Sequence, residues 1–222
     1  MVIKSSVFVV IVSIVFFAVI GSSGCTQPTQ PNLNTPITTT ILTPPNPPVS
    51  SSDIPHVTSL QPTSINDLFY PSGWMGDTED IKYDPASTNS PHSGSDSIRV
   101  DYSPKGSKGW AGIYWLYPDN NWGTNPDGRN LNGHLHVTFW ARGANGEEKA
   151  EFKVGGVTGK YPDSVTSPVS SGVLILTKDW KSYSIDLNGK DLSHVVGGFC
   201  WVTNKDQNPY GSTIYLDDIA YS

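Results

Sequence analysis

The stretch from Trp110 to Gly123 carries five large aromatic side chains: Trp110, Tyr114, Trp115, Tyr117 and Trp122. Indole and phenol rings cover the apolar C–H faces of pyranose sugars at low entropic cost, while polar neighbours bond the hydroxyls. Strand alternation puts Ile113, Trp115 and Tyr117 on one face, the core side, and leaves Trp110 and Tyr114 on the other. Trp122 lies in Asn120-Asn121-Trp122-Gly123 between Pro118 and Pro126, a loop composition with no obvious core to fill. It is either an exposed platform or a plug folded against the domain. Trp140 alternates with His136 onto one strand face, with Arg142 nearby. That face either lines a ligand surface or packs under a covering loop. The candidate ligand-binding residues are therefore Trp110, Tyr114, Asn121, Trp122, Trp140 and Arg142.

Catalytic patterns are missing from the sequence. It has no Gly-x-Ser-x-Gly elbow, no His-Glu-x-x-His, no phosphate-binding loop and no dinucleotide glycine fingerprint. A glycosidase needs two carboxylates flanking the scissile bond. The only Glu residues are Glu79, Glu147, Glu148 and Glu151, and the last three crowd an apparent turn after Gly143 and Gly146, as in a solvated hairpin. His134 and His136 share a strand face, but zinc takes three or four ligands and no motif supplies the rest. A non-catalytic protein is expected. The net charge is -6 and the 14 Lys and Arg residues are scattered, which argues against a nucleic-acid partner.

The N-terminal third is organised for export. Residues 1–24 hold Lys4, an apolar run from Val7 to Ile20 broken only by Ser13, and then the small residues Gly21 to Gly24 before Cys25. The run is shorter than the ~20 apolar residues that a membrane-spanning helix needs. Residues 21–25 resemble the lipobox of prokaryotic lipoproteins, which implies lipidation at Cys25; Ser22 departs from the usual branched apolar residue. Ordinary cleavage after Gly24 and an uncleaved anchor are the alternatives. Residues 26–62 read as a tether: they hold half of the chain's 18 prolines, much Thr and Ser, and a single charge at Asp53. At ~3 Å per residue such a segment reaches roughly 100 Å from a membrane surface. The expected location is the outer face of the cell membrane or the cell surface, lipid-anchored or secreted.

Residues 63–222 form the folded domain. All seven Trp and all ten Tyr lie at or beyond Tyr70. No amphipathic helical pattern of ten residues occurs, and short alternating runs are bounded by Gly, Pro, Asn and Asp. Strands are predicted at Phe69–Met75, Asp80–Tyr83, Ser97–Tyr102, Gly112–Tyr117, His134–Ala141, Lys149–Val154, Gly172–Thr177, Ser182–Leu187, Gly198–Val202 and Thr213–Ile219. This number of short strands, each apolar on one face, predicts an all-β fold, a two-sheet antiparallel β-sandwich. Leu135, Val137, Phe139 and Ala141 should point into the core. Val173 to Leu176, apolar on both faces, predicts a central strand covered on both sides. Trp180 and Trp201 read as structural, and Cys200 as a small buried hydrophobe.

Four segments in order, Leu135-His-Val-Thr-Phe-Trp-Ala-Arg-Gly143, Trp180-Lys-Ser-Tyr-Ser-Ile-Asp-Leu187, Gly198-Phe-Cys-Trp201 and Ile214-Tyr-Leu-Asp-Asp-Ile219, resemble the galactose-binding-domain-like jelly roll of many carbohydrate-binding modules. The resemblance spans roughly residues 66–222. It implies a structural calcium ion, for which it nominates Asp217 with Asp77 and Glu79, and a saccharide-binding surface on one sheet or its edge loops. The expected function is non-catalytic binding of a poly- or oligosaccharide through exposed aromatics. The alternative is a structural or adhesion module of the cell envelope with no sugar ligand.

Overall fold

The structure, a computed structural model, describes residues 61–222; the segment 1–24, Cys25 and the tether up to residue 60 lie outside the described residues. Eleven strands carry the fold: β1 (Thr63–Ser64), β2 (Tyr70–Gly76), β3 (Ile81–Ser87), β4 (Ser97–Tyr102), β5 (Trp110–Leu116), β6 (His136–Gly143), β7 (Lys149–Val154), β8 (Val169–Ile175), β9 (Lys181–Asp186), β10 (Gly197–Asn204) and β11 (Ser212–Tyr221). All pair antiparallel. Sheet A runs β3-β4-β11-β6-β9, with β1 added beside the end of β11; sheet B runs β2-β5-β10-β7-β8. The all-β sandwich expected from alternation is the fold the chain adopts.

The core lies between the sheets. Phe139 of β6 meets Phe152 of β7 at 4.6 Å between centroids and Phe199 of β10 at 5.3 Å, and Phe199 packs edge-on against Trp115 of β5. Each of these rings is fully buried, a contribution of about 2–3 kcal/mol per side chain from area alone. A one-turn helix, α1 (Ile65–Leu68), carries the chain from β1 in sheet A to β2 in sheet B. Ser64 caps it by accepting from the Asn66 amide, and Ile65 and Phe69 anchor it in the core.

Three expectations fail for identifiable reasons. The strand predicted from His134 begins at His136, because the amides of Leu135 and His136 both donate to the Ser222 carbonyl; this irregularity leaves Leu135 half exposed. β8 is an edge strand, not a central one, and Val173 and Ile175 face solvent. Glu148 does not belong to a solvated hairpin: it is buried, with its carboxylate accepting from the Asn145 amide.

Candidate functional site

The outer face of sheet B can be read row by row from strand register. One row crosses all five strands as Met75, Gly112, Val202, Glu151 and Val173. The row beside it runs Gly73, Tyr114, Cys200, Lys153 and Ser170. On the far side of the first row stand Trp110, paired with Asn204, and Lys149, paired with Ile175. Small or modest side chains occupy the middle, and large rings stand on the β2–β5 side.

Two loops cover one end of this face. The connection 117–135 and the connection 155–168 bury a second, smaller apolar cluster of Tyr114, Leu116, Val157, Val196 and Cys200. Asp163 holds the covering loop down: its carboxylate accepts from the amides of Val157, Val196 and Gly197, while burial pushes its pKa up. The loops are joined through the Tyr161 amide, which donates to Gly123 O. Gly123 has φ +73, a conformation that disfavours L side chains, and a Cβ there would run into the Thr158 carbonyl.

Trp122 stands at the border of the covered area. Its indole lies over Gly73, where an added Cβ would come within 2.9 Å of Trp122 Cζ2, and packs edge-on against Tyr114 with centroids 6.1 Å apart. The ring is 39% exposed, so it both covers the small cluster and presents surface to solvent. Trp110 is 38% exposed, and Tyr70, on the same face of β2, is 49% exposed. Tyr114 and Trp110 are four residues apart on β5, about 13 Å at the usual strand rise. Between them Gly112 is buried, and Met75 Cε and Val202 Cγ2 each close to within 3.1 Å of where its Cβ would stand, so these two side chains form the surface there. Farther across, Lys153 and Glu151 form a partly exposed ion pair at 3.2 Å, and Ser170 donates to Glu151 at 2.6 Å. The face therefore offers stacking surfaces on one side and a hydroxyl-bonding group on the other.

The remaining candidates occupy different positions. Tyr114 is buried beneath Trp122 with its hydroxyl donating to Gly155 O, so it supports the ring above it. Asn121 is buried and holds its own loop: Nδ2 donates to the carbonyls of Tyr117, Asn125 and Asp127, and Oδ1 accepts from the amides of Thr124 and Asn125. It positions Trp122 rather than presenting a polar group outward. Trp140 and Arg142 lie on the outer face of sheet A, on β6, away from the other four. Trp140 is covered by the stacked His92 ring at 3.7 Å, and Arg142 is buried against Tyr215. Tyr70, Glu151 and Lys153 escaped the sequence reading. Their convergence depends on pairings between strands far apart in sequence, and only the alternation of β7, Lys149–Glu151–Lys153 outward, hinted at it.

The three residues nominated for calcium do not share a site. Asp77 accepts from the amides of Lys108 and Gly109, near the Tyr102 end of β4. Asp217 accepts from the amides of His92 and Ser93 and follows the residue paired with Ile98 at the other end of that strand. Glu79 is exposed in the 3-10 turn after Asp77. Among the described residues no group of three or more His, Cys, Asp or Glu side chains is disposed to hold a metal ion. Calcium needs six to eight oxygens around one point, and these residues do not fit that requirement.

No family model matches the chain, and no curated protein matches it. Among solved structures it is similar to a family 30 carbohydrate-binding module, at 17% identity and a TM-score of 0.47, over 73% of this chain and 83% of that one. It is also similar to the family 30 module of the cellulosomal cellulase Cel9D-Cel44B of Clostridium thermocellum, at 16% identity and TM-score 0.44, over 73% and 92%. The family 11 module of the cellulosomal cellulase Lic26A-Cel5E of the same organism gives 13% identity and TM-score 0.46, over 74% and 95%.

Proposed function

We propose that this protein is a non-catalytic carbohydrate-binding protein whose ligand, a neutral poly- or oligosaccharide, lies on the outer face of sheet B. The observation that carries the reading is the set of partly bare rings, Trp122, Trp110 and Tyr70, standing on the outer face of sheet B. Sugar rings stack on the indoles, and hydroxyls reach Glu151, Lys153 and Ser170 across the sheet. Within those rows Glu151 is the one carboxylate, and it is tied to Lys153 and Ser170. That arrangement lacks the second carboxylate of a glycosidase and supports binding without turnover. The export signal, lipid at Cys25 and a proline-rich spacer would display this face outside the cell; that part of the proposal stands on sequence alone.

Affinity electrophoresis through gels containing neutral polysaccharides tests the reading. Retardation by at least one glycan is expected, and Trp122→Ala or Trp110→Ala should each weaken it about tenfold or more, as expected for aromatic anchors worth ~2 kcal/mol. Unretarded migration across a broad panel would favour the adhesion alternative, for which the solvent-facing Val173 and Ile175 on edge strand β8 are the supporting observation.

A further inference from the structure

On the opposite sheet, Arg142 is an anomaly. Only 9% of the residue is exposed, yet no carboxylate pairs with it among the described residues, whose ion pairs are His92–Asp218, Arg99–Asp101, His136–Asp186 and Lys153–Glu151. Of its five N–H donors, one bond is made, from Nη2 to Asn89 O at 2.7 Å, and Nε is buried with no partner. The rings of Tyr215, 3.8 Å from the guanidinium carbon, and Trp180, 5.2 Å away, flank it. Cation–π contact offsets part of the cost of desolvating a guanidinium, but a buried cation is ordinarily paired with an anion.

An open depression lies against this group. Its lining includes Arg142, Trp180, Tyr215, Asn89 and Ser90, with Lys178 as a second cation at the exposed margin. The guanidinium fork matches a planar carboxylate, which it bonds through two parallel N–H groups. Asp179 also lines the depression and disfavours a multiply charged group such as a phosphate ester. The indole of Trp180 offers an apolar wall, and Asn89, Ser90 and Asp179 offer partners for hydroxyls.

We propose that this depression is a second glycan site, selective for a hexuronate, with Arg142 as the group that binds the sugar carboxylate and Lys178 supporting it. It does not rest on the sheet B reading, because the two sites lie on different sheets and take ligands of different charge.

Arginine Nε–Hε resonances of the full chain, labelled with 15N, test it. Methyl glucuronide should shift the Arg142 signal saturably, whereas methyl glucoside and acetate at equal concentration should leave it in place. Lys178→Glu, a change at an exposed side chain, should weaken the glucuronide response several-fold with no change in melting temperature, and Arg142→Lys should abolish the glucuronide shift of the Trp180 indole N–H, which lines the same depression. Binding of neutral glycans to sheet B should survive both substitutions. An Arg142 signal unmoved by glucuronide overturns the proposal. So does an equal response to acetate, to methyl glucoside or to a short peptide with a free C-terminus, or a glucuronide response untouched by Lys178→Glu.

Discussion

At the scale of single residues, the candidate site separates into rings that face solvent and groups that hold them. Trp122 and Trp110 belong to the first kind, and Asn121 and Tyr114 to the second. Asn121 satisfies five backbone groups of its loop from a buried position. Asn121→Ala leaves those groups without partners and should lower unfolding free energy by about 1–3 kcal/mol in a urea titration, with weaker glycan binding because Trp122 loses its support. An unchanged midpoint would mean the loop is held by other contacts. Cys200 bears on the anchor. Its thiol is buried on the outer side of sheet B, and burial pushes its pKa far up, so the thiolate is not populated in the native protein. Titration of the mature native protein with a thiol reagent should therefore count no reactive thiol if Cys25 carries lipid. It should count one if Cys25 is free, the result that contradicts lipidation.

At the scale of elements, the close approach of loop 117–135 to β2 depends on Gly73. A Cβ at that position would meet Tyr114 Cβ at 2.7 Å, Leu116 Cδ1 at 2.8 Å and Trp122 Cζ2 at 2.9 Å. Gly73→Ala should force the indole off the sheet, costing about 1–3 kcal/mol of stability in thermal unfolding and weakening glycan binding with it. Full binding in that variant would detach Trp122 from the site. Strand existence was legible wherever alternation was regular: β4 and β7 occupy the expected spans Ser97–Tyr102 and Lys149–Val154. β8 was misread because the apolar run from Val173 to Leu176 has the pattern of a doubly covered strand, while its place at the edge is fixed by sheet order, which local pattern does not encode. Trp122 was legible from its proline-flanked loop. Tyr70, Glu151 and Lys153 were not, since β2, β5, β10 and β7 meet through pairings between strands distant in the chain.

At the scale of the molecule, the two faces of the sandwich are built differently. Sheet A partly covers its outer aromatics with the 88–96 segment, where His92 stacks on Trp140 and Trp180 donates to Ser90 O. Sheet B leaves part of its outer face open beside Trp122 and Trp110. The seven tryptophans thus act as reporters spread over the domain, with Trp115 and Trp201 in the core, Trp74 at an edge against Tyr83, and Trp140 and Trp180 on sheet A. The most direct test is the indole N–H spectrum of the full chain titrated with a neutral oligosaccharide that it retains in affinity gels. The Trp110 and Trp122 signals should shift together and saturate at one dissociation constant, with Trp115, Trp140, Trp180 and Trp201 unmoved. Shifts confined to Trp140 and Trp180, or saturable binding that leaves both Trp110 and Trp122 in place, would contradict a glycan site on sheet B.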